Sequence, residues 1–140
     1  MIHPTAIIGK NVKLESGVEV GPYSFIDGNV TIGKNTKIHT SVSISGNTTI
    51  GEKNKIFPFC SIGSIPQDLK YYGEETHLKI GDSNTFREHC TVNMGTEGGG
   101  FNTIIGNGSL FMTGAHIAHD CIVGNNVVMA NQATLGGHVI

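Results

Sequence analysis

Tryptophan is absent from the 140 residues, and proline (4), cysteine (3) and charged side chains (14%) are all scarce. Each shortage excludes something. Nine Lys and Arg against eleven Asp and Glu, with no block of like charge, leave a net charge of −2 and no electrostatic footprint for nucleic acid or an anionic membrane. No apolar run approaches the ~20 residues of a membrane-spanning helix. The opening Met1-Ile2-His3-Pro4-Thr5 has neither the basic nor the long apolar region of a secretory signal, so a cytoplasmic location is expected. Three cysteines in that setting argue for reduced thiols rather than a disulfide framework. A chain of this length is expected to form one domain over residues 1–140. Glycine, by contrast, is abundant: 20 residues of 140, about twice the usual ~7%, without the Pro or Ser of a low-complexity linker. The chain needs a turn every few residues.

An aliphatic residue stands at Ile2, Ile8, Leu14, Val20, Ile26, Ile32, Ile38, Ile44, Ile50, Ile56 and Ile62, a spacing of six without a miss. The pattern resumes at Ile80, Phe86 and Val92, and again from Ile105 through Phe111, Ile117, Val123, Met129 and Leu135. Four positions after each of these the residue is nearly always small, as at Ala6, Val12, Val18, Ser24, Cys60, Cys90, Ala115 and Cys121. Intervals alternating between two and four turn both ends of a short strand inward and leave Gly, Asn and Lys to make the corner. Neither the period of two of a sandwich strand nor the 3.6 of a helix survives so many repeats of six. The pattern predicts an all-β chain: a parallel β-helix of hexapeptide repeats, about six to seven triangular coils. Two inserts interrupt it, near 68–79 and 98–104.

A loop that leaves the prism forfeits stacking, so these interruptions are where chemistry is expected. The first carries Pro66-Gln67-Asp68-Leu69-Lys70-Tyr71-Tyr72, and the second the Gly98-Gly99-Gly100 run, which reads as an irregular loop because no strand-to-helix context makes it a phosphate cradle. All three cysteines fall on the small inward position and read as buried structural thiols, with Cys60 and Cys90 on neighbouring coils. His3, His39 and His89 fall at corners and read as solvated turns. The remaining concentration is Ala115-His116-Ile117-Ala118-His119-Asp120-Cys121 followed by Gly136-Gly137-His138. Hexad arithmetic points His116 outward from a flat side and places Met94, His119 and Gly137 at one corner of successive coils. A histidine about one strand spacing from a glycine backbone suits a general base beside an oxyanion donor. A solvated histidine-rich edge is the plainer alternative. Zinc held by His116 and His119, with the third ligand His138 or one from a neighbouring subunit, is the rival chemical one, with His116 and His119 projecting from different parts of the coil against it.

These residues resemble a family, the acyl-carrier-protein–UDP-N-acetylglucosamine O-acyltransferases that open lipid A biosynthesis. The resemblance is carried by Ile2-His3-Pro4-Thr5-Ala6, Pro66-Gln67-Asp68-Leu69-Lys70-Tyr71, the stretch from Ile80-Gly81-Asp82 to Phe86-Arg87-Glu88, and Ala115 through Cys121 with Gly137-His138-Val139. It covers the whole chain but only about the first half of a family member, which continues with further coils and a C-terminal helical domain. The resemblance implies a left-handed helix, a homotrimer with active sites between prisms, and transfer of a 3-hydroxyacyl group from acyl-carrier protein to the 3-hydroxyl of UDP-N-acetylglucosamine, without cofactor or metal. It implies His119 as base, Asp120 as its orienting partner, Gly137 as oxyanion donor, and Gln67, Asp68, Lys70, His116 and His138 as substrate contacts. Asn93-Met94 stands where the family often has His-Arg, which puts any nucleotide contact there in doubt.

Two other classes remain at this point. The sister N-acyltransferase of the pathway shares the hexads but resembles a chain with a separate domain before its β-helix, whereas here the hexads begin at residue 2. A catalytically incomplete β-helix fragment or scaffold is the non-enzymatic alternative. An ice-binding face would need an outward Thr ladder, which Lys13, Glu19, Phe25, Thr31 and Lys37 do not form.

Overall fold

A computed structural model describes residues 1–140. Nineteen short strands form three parallel sheets, one of seven strands and two of six, wound as a left-handed parallel β-helix. The seven-stranded sheet stacks, in order, Ile7–Ile8, Phe25–Ile26, Ser43–Ile44, Ser61–Ser64, Thr91–Asn93, His116–Ile117 and Thr134–Leu135. Most strands keep only two residues, because the corner takes the rest of each hexad. Corner geometry requires the left-handed backbone region, occupied by Asn35, Lys53, Phe59 and Asp120 among other non-glycine residues. No helix is long and apolar enough to cross a membrane.

Inward residues meet their equivalents on the next coil: Ile26 pairs with Ile44, Ile44 with Ile62, and Val92 with Ile117. Twenty-five buried residues form one continuous core, in which Phe86 and Phe111 stack at 4.8 Å. Polar residues on the small inward rung satisfy themselves along the stack. Asn54 Oδ1 accepts the Asn84 N–H at 2.9 Å, and Asn84 Oδ1 accepts the Ser109 N–H at 2.9 Å. Cys60 and Cys90 donate to the carbonyls of Arg87 and Met112, and all three cysteines are free and buried. The hydrogen-bonding neighbour Cys90, together with burial, pushes the Cys60 thiol far up, which keeps it protonated. The corner histidines are not merely solvated: His39 stacks on Phe57 at 4.6 Å and His89 on Phe59 at 5.2 Å.

Because every rung is shared with two neighbours, Ile44→Asp buries an unpaired carboxylate where Ile44 is 0% exposed. The expected loss is several kcal/mol, on the order of 3–5, read as a large drop in the thermal midpoint by circular dichroism. An unchanged midpoint would place Ile44 outside the core.

The excursions leave the prism on the same side of the stack. The first occupies residues 65–76, between the strands Ser61–Ser64 and His77–Ile80, three residues earlier than period arithmetic puts it. Periodicity gives the length of an insert but not the point at which the chain departs. The second runs between Thr91–Asn93 and Asn102–Ile105, and it contains a 3₁₀ turn, Glu97–Gly99, closed by Gly100 in the left-handed region. The Gly-rich run is thus a non-repeating loop with one 3₁₀ turn. A register shift between Ile62 and Ser64 separates the strands carrying these loops.

Candidate active site

The strand His116–Ile117 ends at a corner where Ala118, His119 and Asp120 are all buried. Asp120 sits at φ 62° and is held from several directions. The Thr96 N–H donates to Oδ1 at 2.7 Å, the Thr96 hydroxyl donates to Oδ2 at 2.5 Å, and Thr103 Oγ1 accepts the Asp120 N–H at 2.8 Å. The second loop is packed against the same carboxylate so closely that a Cβ at Gly99 would lie 2.0 Å from Asp120 Cγ. Asp120 Oδ2 also lies 3.0 Å from His119 Nδ1. An ionised carboxylate only accepts, so Nδ1 must carry the proton and the neutral ring keeps its lone pair on Nε2.

That lone pair faces the first loop. Asp68 Oδ2 lies 3.9 Å from His119 Nε2, too far for a hydrogen bond, while Asp68 Oδ1 accepts the Lys70 N–H at 2.8 Å and meets Lys70 Nζ at 3.1 Å. The Lys70 N–H and ammonium hold the Asp68 carboxyl below its ordinary range. From the next coil, Gly137 (φ 108°) comes so close that a Cβ there would sit 2.9 Å from His119 Nε2. Glycine is required on both counts. The Gly137 N–H has no acceptor within the chain, whereas the following His138 N–H donates to the His119 carbonyl at 3.0 Å. The His138 ring meets that of His119 edge-on at 4.8 Å.

A cavity of about 390 Å³ opens between the two loops, lined by Asp68, Lys70, Tyr72, Glu97 and His138 among others. The loops are tied across it by Tyr72, whose hydroxyl donates to Glu97 Oε2 at 2.6 Å, and by the Glu97 N–H, which donates to Glu74 Oε2 at 3.1 Å. Of the residues named from sequence, His119, Asp120, Gly137, His138 and Asp68 converge, with Lys70 joined through Asp68. Two do not. Gln67 is exposed, and His116 stays on the flat side with Nδ1 2.6 Å from Thr91 Oγ1. Met94 does not face the site either. It is buried, with its sulfur accepting the Asn47 N–H at 3.3 Å, and Asn93 is buried beside it in sequence. Sequence reasoning passes over Thr96 and Thr103, which lock Asp120: Thr96 falls on a small inward position and looks structural, and period arithmetic leaves Thr103 inside the second insert.

Burial holds His116 below its ordinary value, and burial together with Lys37 does the same to His39. The unfolded chain therefore binds more protons at these rings near and below pH 6.5, and stability should decline as pH falls through that window. Thermal midpoints between pH 7.5 and 5.5 check the sign, with His116→Asn expected to flatten the slope. A midpoint that rises on acidification would contradict it.

A profile of the bacterial transferase hexapeptide family (six repeats) matches residues 102–137. Over 139 residues the chain is 58% identical to an acyl-[acyl-carrier-protein]–UDP-N-acetylglucosamine O-acyltransferase of Anaeromyxobacter dehalogenans (strain 2CP-1), covering 99% of this chain and 54% of that protein. The same enzyme of Janthinobacterium sp. (strain Marseille) is 56% identical over 139 residues, with 99% and 53% covered. The structure of LpxA from Acinetobacter baumannii superposes with a TM-score of 0.97 at 49% identity, covering 98% of this chain and 53% of that one. The chain is similar over nearly its whole length to the N-terminal half of these O-acyltransferases. It spans about half the length of the curated relatives it matches. In this chain the His119 corner lies between the two loops that break the hexad period.

Proposed function

We propose that this chain supplies the catalytic corner of an O-acyltransferase that moves a 3-hydroxyacyl group from acyl-carrier protein to the 3-hydroxyl of UDP-N-acetylglucosamine, the first step of lipid A biosynthesis. The observation that carries the proposal is His119, with Nδ1 held by a locked carboxylate and Nε2 free beside the glycine backbone of the next coil. In the reaction His119 Nε2 takes the proton of the sugar hydroxyl as its oxygen attacks the thioester carbonyl. The carbonyl π electrons move to oxygen, and the Gly137 N–H receives that developing charge. Collapse breaks the carbon–sulfur bond, and the imidazolium returns its proton to the departing thiolate. Asp120 steadies the imidazolium throughout. A thioester is already activated, so this sequence calls for no cofactor and no metal. Asp68 and Lys70 orient the sugar nucleotide at the mouth of the cavity, with His138 as a further contact lining it.

The proposed working form is a cytoplasmic homotrimer, in which a neighbouring prism closes the open side of the cavity. Mass-spectrometric detection of acyl transfer from acyl-carrier protein to UDP-N-acetylglucosamine tests the activity on this sequence extended to the length of its relatives. Sedimentation of the same protein tests the trimer. Absence of acylated product from a trimeric protein would refute the activity, and a strictly monomeric active protein would refute the assembly.

A further inference from the structure

Three donor groups at this corner are arranged as a metal chelate would need them. Ligand atoms of Asp68, His119 and His138 all lie within 4.8 Å of one another. A tetrahedral zinc with bonds of about 2.0–2.1 Å sets its ligand atoms roughly 3.4 Å apart, so the donors need to close by about 1.4 Å at most. The donor with room to turn is His138, whose side chain is 49% exposed, while the Asp68 side chain is 9% exposed and fixed by Lys70. The inner donor is already oriented. His119 Nδ1 is held by Asp120 Oδ2 at 3.0 Å, which presents Nε2 as the ligand atom and makes Asp120 the outer carboxylate of a carboxylate–histidine–metal arrangement. Asp68 is equally prepared, since Lys70 occupies Oδ1 and leaves Oδ2 turned to His119. The cavity beside Asp68 and His138 leaves the fourth position open to water. This donor set differs from the three histidines suggested by sequence, because His116 is engaged by Thr91 on the flat side.

We infer that Asp68, His119 and His138 form a site for a zinc-class divalent ion that acts as an inhibitor. The ion takes the Nε2 lone pair on which base catalysis depends and the carboxylate assigned to the sugar nucleotide. Binding follows from the geometry alone, and only the inhibitory consequence rests on the acyl-transfer reading.

Tag-free chain titrated with Zn²⁺ against a chromophoric chelator should bind one equivalent. Asp68→Asn and His138→Gln should each weaken that binding by at least about tenfold, whereas His39→Gln and His116→Asn should leave it unchanged. His138→Gln alters a half-exposed side chain, and unchanged thermal midpoints without metal will show that the variants fold. Co²⁺ in place of Zn²⁺ should give tetrahedral visible bands without thiolate charge-transfer absorption. The site is overturned if no Zn²⁺ binds, if the folded Asp68 and His138 variants bind as the parent does, or if a thiolate band assigns the metal to cysteine. Acyl transfer that proceeds in chelator and is unaffected by saturating Zn²⁺ would overturn the inhibitory role while leaving the transferase reading intact. Absence of acyl transfer alongside intact Zn²⁺ binding would sink that reading and keep the site.

Discussion

Replacing His119 by Ala, in this sequence extended to the length of its relatives, should lower acyl transfer by about 10²–10⁴-fold, the usual worth of a positioned general base. The loss should fall on kcat, because the ring acts on a proton in flight rather than on substrate affinity. His39→Ala is the matched control. It removes a corner histidine that stacks on Phe57 at another corner, and turnover should remain near that of the parent. His119 is buried among Asp68, Asp120, Gly137 and His138, so the variant needs a melting curve and a sedimentation profile beside its rate. Near-normal turnover by an intact His119→Ala trimer would remove His119 from the mechanism.

Asp120→Asn should cost as much, on the order of 10²–10⁴-fold, through the tautomer of a ring it never replaces. Three donors converge on the carboxylate: the Thr96 N–H, the Thr96 hydroxyl and His119 Nδ1–H. The amide must set its NH₂ either against the single donor at Oδ1 or against the two at Oδ2. At the Oδ1 position it would meet the Thr96 N–H, a backbone donor that cannot turn. At the Oδ2 position the Thr96 hydroxyl can rotate away, and His119 Nδ1 can accept only if the ring proton moves to Nε2. The base then has no lone pair where the sugar hydroxyl arrives. Nitrogen chemical shifts of the imidazole should report the exchanged tautomer in the variant and Nδ1–H in the parent. A variant with the parent tautomer and full activity would show that Asp120 is only structural. Thr96→Val, which deletes one donor and keeps the carboxylate, should have the smaller effect, and Thr96→Ser should restore it.

The parallel β-helix was legible because its cause is local. A small inward residue and an aliphatic residue recur every six positions, so the inward set can be assigned from Ile2 to Leu135 without knowing which coil touches which. Even the meeting of His119 and Gly137 was within reach of counting, since neighbouring coils repeat after a fixed number of hexads. Counting failed for Met94, which was assigned to that corner. A register shift between Ile62 and Ser64 precedes it, and its sulfur turns back to the Asn47 N–H. The hand of the coil came from resemblance, because the period is the same for either hand.

Sequence by itself determined which residues face inward, that the stack is interrupted twice, and which histidine stands beside a glycine backbone. Tertiary structure alone decided what the interruptions do. Once the chain leaves the period, no repeat relates residue 68 to residue 119 or residue 96 to residue 120, and their meeting depends on how two loops pack against one corner. That packing brings Asp68 to 3.9 Å from His119 and has Thr96 clamp Asp120. The physical reason is one of range: periodic burial is encoded residue by residue along the strand, whereas the charge, tautomer and metal chemistry of the corner arise between segments that only the completed stack brings together.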